Sequence, residues 1–289
     1  MSNQQQSMTN LEAATKTAEM IAHRAVEDLA LEAENSVAEM LRLVDRMHRA
    51  ERPHPINPSV GEAFSAPVES QKQLSWDACL DTFVILHPKC KKEYVEQFRQ
   101  LRSRLTLAKK DWENAQMDLK VLAIVSPSEK DGKSFVAANL AAAMALGSDR
   151  TVLLIDLNPA STYATTSLGI QAAQGLTEAI ETLDWQDSVR RMGDTNLSVM
   201  PIGKRKAGNI DPVDFRRLPI LLEKLRDSFD WIILDGPAFN GSSDAELTAN
   251  FADANLLVVR KNRTEFRDAA RALNGIPAER VLGVVFNNH

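Results

Sequence analysis

Gly132-Lys133-Ser134 stands where an apolar run, VLAIV at 121–125, gives way to the helix-like FVAANLAAAMAL. A helix beginning there would turn unpaired N–H groups and the positive end of its dipole toward a phosphate. Lys133 would add a point charge at the β- and γ-phosphates, and Ser134 a hydroxyl for Mg²⁺. With the lead-in Glu129-Lys130-Asp131 and the following Phe135, these residues form the candidate nucleotide-binding set, 129–135. Two carboxylates close later apolar runs: Asp156 after VLLI, and Asp235 after WIIL. An Asp at the C-terminal end of a parallel strand faces the crevice where ligands bind. Asp156 and Asp235 are therefore the expected Mg²⁺ partners beside Ser134, and the residues expected to carry any catalysis. The competing reading of each is a turn or capping residue.

These residues need a scaffold, and residues 76–289 supply its pattern. Apolar runs rich in β-branched residues stand at 121–125, 152–155, 197–200, 231–234, 256–259 and 281–286. Helix-like stretches lie at 134–146, 211–228, 243–252 and 264–274. Near-continuous apolar strands imply burial on both faces. Alternation with helices then predicts an α/β, doubly wound, mostly parallel sheet of P-loop NTPase type.

The N-terminal quarter reads differently. Residues 1–50 form an extension, and 9–50 lack Pro and Gly and carry an Ala-rich stripe at helical spacing. Such a stripe packs shallowly against a partner helix or folds back on its own domain. Residues 51–75 hold Pro53, Pro55, Pro58 and Pro67 and read as a linker.

Residues 91–289 resemble the cytoplasmic ATPase module of bacterial tyrosine kinases (BY-kinases), within the deviant-Walker group that includes MinD and ParA. The segment Glu96-Gln97-Phe98-Arg99-Gln100-Leu101-Arg102 is similar to that family's E-x-x-R-x-x-R helix. VLAIVS with GKSFVAANLA resembles its Walker A segment, TVLLID its Walker A′ strand, WIILDGPAFNGSS its Walker B, and VLGVVFN its closing strand. The resemblance implies ATP and Mg²⁺ as ligands and ring or dimer assembly through Glu96, Arg99 and Arg102. It also implies a role in exopolysaccharide or capsule polymerisation or export beside a membrane co-polymerase.

The departures from the family pattern shape the expectation. The family loop reads Pro-Gly-Glu-Gly-Lys-Ser, and here Lys130 takes a glycine's place, where φ > 0 and close approach to phosphate are needed. Lys130 can crowd the phosphates or lend them charge. Asn158 replaces the second Walker A′ Asp with no arginine after it, and Gly236 stands where Walker B carries Ser or Thr. Weak or retuned ATP binding is expected, and hydrolysis stays open. No tyrosine-rich tail is expected, since Tyr94 and Tyr163 are the two tyrosines of the sequence, and both read as structural. A non-enzymatic pseudo-kinase scaffold is one alternative. A MinD/ParA-like positioning ATPase is another, disfavoured because the signature lysine position holds Ser128.

Composition excludes other classes. The chain has 289 residues, 44% apolar and 25% charged, with a net charge of −5, so it is globular and not a bulk nucleic-acid binder. A local excess, eight basic residues against two acidic between Lys89 and Lys110, reads as a subunit face or a solvated basic helix. Lys204-Arg205-Lys206 reads as a solvated loop. Cys79, Cys90 and the five histidines form no metal pattern. Without an apolar stretch long enough to span a bilayer or a signal-peptide pattern, the expectation is a cytoplasmic protein, peripheral to the membrane through a partner.

Overall fold

The computed structural model describes residues 72–74, 83–114, 117–146, 149–158, 161–170, 174–203, 215–240 and 242–288. The expected helix at 9–50, Cys79 and the 204–206 cluster lie outside these. In chain order the elements are β1 (Lys72–Leu74), α1 (Lys92–Asn114), β2 (Val121–Ser126), α2 (Lys133–Leu146) and β3 (Val152–Asp156). Then come α3 (Tyr163–Thr166), α4 (Leu176–Thr182), β4 (Arg190–Met192), β5 (Leu197–Met200) and α5 (Leu218–Arg226). The last are β6 (Trp231–Ala238), α6 (Ser243–Phe251), β7 (Ala254–Arg260), α7 (Phe266–Asn274) and β8 (Val281–Asn287).

The eight strands make one sheet in the order β1-β4-β5-β3-β6-β2-β7-β8. Six of them, from β5 to β8, run parallel to one another. β4 pairs antiparallel with β5, and β1 pairs parallel with β4, so this edge runs the other way. All six apolar runs read from the sequence are strands of this sheet. β2, β3, β5 and β6 are buried along their whole length, as expected of strands covered on both faces.

Four short elements escaped the pattern, among them α3, a single turn of four residues. Lys72–Leu74, inside the expected linker, is an edge strand. Arg190–Met192 is too short and too charged to read as a strand, and pairing with Leu197–Met200 across a tight turn makes it one. α4 spans seven residues, below the length at which a 3.6-residue period shows. The expected helix at 211–228 is described from Phe215, as a 3-10 turn followed by α5.

α2 is the helix that carries the phosphate loop, and nearly all of it is buried. Its six alanines let it approach the sheet on one side and α1 on the other. α1 buries Phe98 and Leu105, seven apart, against that surface. Asn139 pins the incoming chain: its side-chain oxygen accepts the Ile85 N–H at 2.8 Å and its amide donates to the Phe135 carbonyl at 3.0 Å.

The basic segment is not one outward face. Lys109 is 5% exposed. Its ammonium donates to the carbonyls of Leu119 at 2.6 Å and Asp230 at 3.2 Å, and lies 4.6 Å from the Trp231 ring centre. Burial lowers its pKa from the ordinary lysine value. This lysine holds the N-terminal ends of β2 and β6 together, which the charge count alone could not reveal.

Candidate nucleotide site

β2 runs into the loop at the middle of the sheet, and α2 leaves it. The first helical bond, Val136 N–H to the Gly132 carbonyl at 2.9 Å, leaves the preceding amides at the positive end of a 14-residue helix. The loop closes a cavity of about 710 Å³. Glu129, Lys130, Gly132, Lys133, Ser134 and Phe135 line it, six of the seven residues expected to bind ATP.

Asp131 is placed elsewhere. It is buried, and its carboxylate accepts the Ser128 N–H at 2.9 Å and the Thr264 hydroxyl at 3.0 Å. Burial raises its pKa, while these two hydrogen bonds and the charges of Arg263 and Lys133 pull it back. It shapes the loop and does not line the cavity.

Lys130 adopts φ 65°, so the position does require the left-handed conformation that the family's glycine supplies. A lysine there carries about 1–2 kcal/mol of backbone strain. Gly132 at φ 97° also needs to be glycine: a Cβ would overlap the Asn287 side-chain amide.

Strand register brings the two carboxylates together. Asp156 on β3 lies directly beside Asp235 on β6. Both are fully buried, and Lys133 is 5% exposed next to them. Asp156 accepts the Asn158 N–H at 3.0 Å and the Thr165 hydroxyl at 3.3 Å. Its pKa is pushed up to about 8, by burial first and then by the Asp235 charge. Asp235 is pushed up to about 6 by burial, with Lys133 and the Ser134 hydroxyl opposing. Yet neither Asp235 oxygen has a hydrogen-bond partner in bonding geometry. A buried carboxylate with both oxygens orphaned needs a proton, ordered water or a cation. Two carboxylates and a serine hydroxyl are hard oxygen donors of the kind Mg²⁺ takes. The donor set therefore fits Mg²⁺, with Ser134, Asp235 and Asp156 as its holders directly or through water.

The sequence reading missed several cavity residues. Arg260, at the end of β7, lines the cavity and donates to the Lys130 carbonyl at 3.1 Å. Asn287, at the end of β8, lines it and donates to the Asp131 carbonyl at 3.0 Å. Their positions just past apolar strands were the available signal. Tyr163 and Phe83 also line the cavity, so Tyr163 is part of the site. Phe83, Tyr94 and Phe135 stack edge to face, at 6.0 and 6.4 Å between ring centres, and so support that lining.

The proposed oligomerisation residues separate. Glu96 and Arg99 are exposed and form a loose pair at 3.9 Å. Arg102 turns inward and donates to the Ala143 carbonyl at 3.1 Å, in the last turn of α2. That bond satisfies one of the orphan carbonyls of the helix end.

A mostly parallel sheet with a Gly-Lys-Ser loop at its centre and strand-end carboxylates beside it defines a P-loop ATPase fold, the class that takes in BY-kinases and the MinD/ParA proteins. Within it the chain belongs to the family of the cellulose biosynthesis protein BcsQ, whose model matches residues 119–274. The chain is 27% identical over 181 residues to tyrosine-protein kinase Ptk of Acinetobacter johnsonii, covering 62% of this chain and 24% of that protein. It is 31% identical over 179 residues to the succinoglycan biosynthesis transport protein ExoP of Rhizobium meliloti, covering 60% of this chain and 23% of that protein. The chain thus spans about a quarter of the length of either relative. The kinase domain of the Escherichia coli tyrosine kinase ETK superposes with a TM-score of 0.60 at 26% identity, covering 68% of this chain and 75% of that one. Among the described residues no helix is long and apolar enough to cross a membrane.

Proposed function

We propose that this chain is a nucleotide-dependent regulator of exopolysaccharide synthesis or export that binds Mg·ATP in the cavity lined by the phosphate loop, Asn158, Tyr163, Arg260 and Asn287. The observation that carries the reading is the orphaned, fully buried carboxylate of Asp235 beside Ser134, Lys133 and Asp156. A buried carboxylate left without partners is satisfied by a proton, ordered water or a cation, and the hard oxygens of Asp156 and Ser134 beside it suit Mg²⁺. What supports an exopolysaccharide role is that the matched family and one relative are named for cellulose and succinoglycan, both exopolysaccharides. When bound, Mg·ATP would supply an activated phosphoryl group and a charge-dependent switch. Lys133 and the amides at the start of α2 would hold the phosphates, and Ser134 and Asp235 the metal. Asp156 would orient water beside it, and Phe83, Tyr163 and Arg260 would enclose the remainder. The strained Lys130 retunes or weakens this binding relative to a glycine loop.

The partner in this reading is a membrane co-polymerase, with assembly of further copies through the exposed Glu96–Arg99 face, and the protein sits in the cytoplasm at the membrane's inner side. A pseudo-kinase scaffold is the second reading, favoured by the lysine at φ 65°. Calorimetry with Mg·ATP and Mg·ADP on wild type and Lys133→Ala decides between them. Binding that is lost in the variant supports the switch. A folded wild type that binds neither nucleotide leaves the scaffold.

A further inference from the structure

The phosphate loop is held in shape from outside itself. Lys130 occupies a left-handed conformation that a lysine adopts only where its surroundings impose it. Three contacts reach Lys130 and Asp131 from the far ends of β7 and β8. The Arg260 guanidinium donates to the Lys130 carbonyl at 3.1 Å, and the Asn287 amide to the Asp131 carbonyl at 3.0 Å. The third is the Thr264 hydroxyl, on the turn between β7 and α7. It donates to Asp131 Oδ1 at 3.0 Å and accepts the Arg260 backbone N–H at 2.8 Å. The other oxygen of Asp131 accepts the Ser128 N–H at 2.9 Å, which ties the two ends of the turn across Lys130. Thr264 is thus the hinge pin between a buried loop carboxylate, 133 residues before it in sequence, and the strand end that carries Arg260.

We propose that Thr264 is a positioning residue: through Asp131 it holds the left-handed turn at Lys130 and keeps the loop in the shape that receives a polyphosphate. The ligand part of this inference rests on the Mg·ATP reading above; the brace itself does not. Without the hydroxyl, Asp131 Oδ1 and the Arg260 N–H both lose a partner, and the strain at Lys130 is no longer opposed. Relaxation of Lys130 to negative φ would reorient the peptide units on either side, and with them the N–H groups the loop offers to phosphate.

The test uses Thr264→Val, which keeps the β-branched shape and removes the hydroxyl. Thr264→Ser restores the hydroxyl, and Lys130→Gly added to Thr264→Val removes the strain, since glycine takes φ > 0 without penalty. Hydrogen exchange on the nucleotide-free full chain should show roughly tenfold faster exchange at residues 128–133 in Thr264→Val, the scale of one lost charge-assisted hydrogen bond. β2 and β3 should stay at the wild-type rate. Thr264→Ser should behave as wild type, and the double variant should recover. Unchanged loop exchange, or acceleration spread equally over β2 and β3, overturns the brace. Calorimetry with Mg·ATP should give roughly tenfold weaker binding for Thr264→Val and recovery in the double variant. Equal affinity overturns the positioning role. A wild type that fails to bind Mg·ATP removes the nucleotide reading alone, and the exchange pattern still decides the brace.

Discussion

The buried pair Asp156 and Asp235 makes the stability of the nucleotide-free chain depend on pH in an unusual direction. In the unfolded chain both carboxyls have the ordinary value of 3.8; in the fold they are pushed up to about 8 and about 6. Burial is the main cause for each, and for Asp156 the neighbouring Asp235 charge adds to it. Because the two groups lie side by side, they titrate as a unit. The folded state therefore keeps protons that the unfolded state has released. The pair's contribution is fully present below 3.8 and is lost as pH rises toward about 8. One excess proton between about pH 6 and about pH 8 lowers the unfolding free energy by about 1.4 kcal/mol per pH unit, or roughly 3 kcal/mol across the window. Urea unfolding at intervals through that window reads the slope directly. Asp156→Asn removes the shared proton and should flatten most of it. Wild-type stability that is constant or rises between those limits, or a slope unchanged in Asp156→Asn, would refute a protonated pair.

Other expectations are simpler. Lys109→Ala should cost about 2–4 kcal/mol in urea unfolding, because two buried carbonyls lose their donor and the Trp231 ring loses its cover. Lys109→Met keeps the stem and should cost less. Arg102→Ala should lower stability by about 1 kcal/mol and Tm by about 2–4 °C through the uncapped end of α2. Arg99→Ala should leave monomer stability within about 0.5 kcal/mol, since its pair with Glu96 is exposed. A loss of self-association in Arg99→Ala without that stability change would identify the exposed α1 face as a subunit contact. Lys130→Gly should be neutral to stabilising by about 0.5 kcal/mol, the αL strain released less the entropy of a glycine in the unfolded chain. A clear destabilisation would show that the Lys130 side chain makes a favourable contact of its own.

The sequence by itself determined the six parallel strands, because strands inside such a sheet are written as near-continuous apolar runs, and all six such runs are strands; the edge pair β1 and β4 was not legible. It also determined where the phosphate loop lies, since a Gly-Lys-Ser between strand and helix has few other uses. That position 130 needs a left-handed residue was legible too, from the glycine it replaces. The tertiary structure decided what depends on neighbours distant in the chain. The pairing of Asp156 with Asp235 follows from the register of β3 against β6, which no local pattern encodes. Asp131 reads as loop charge and becomes a strut, because its partner Thr264 arrives from another strand. Lys109 and Arg102 look like solvated cations in a basic helix and are internal donors, because a helix face is defined only by what packs on it. Residue type and local period are properties of a few adjacent positions. Burial, charge pairing and the shape of a ligand cavity are properties of the surfaces that the sheet order brings together.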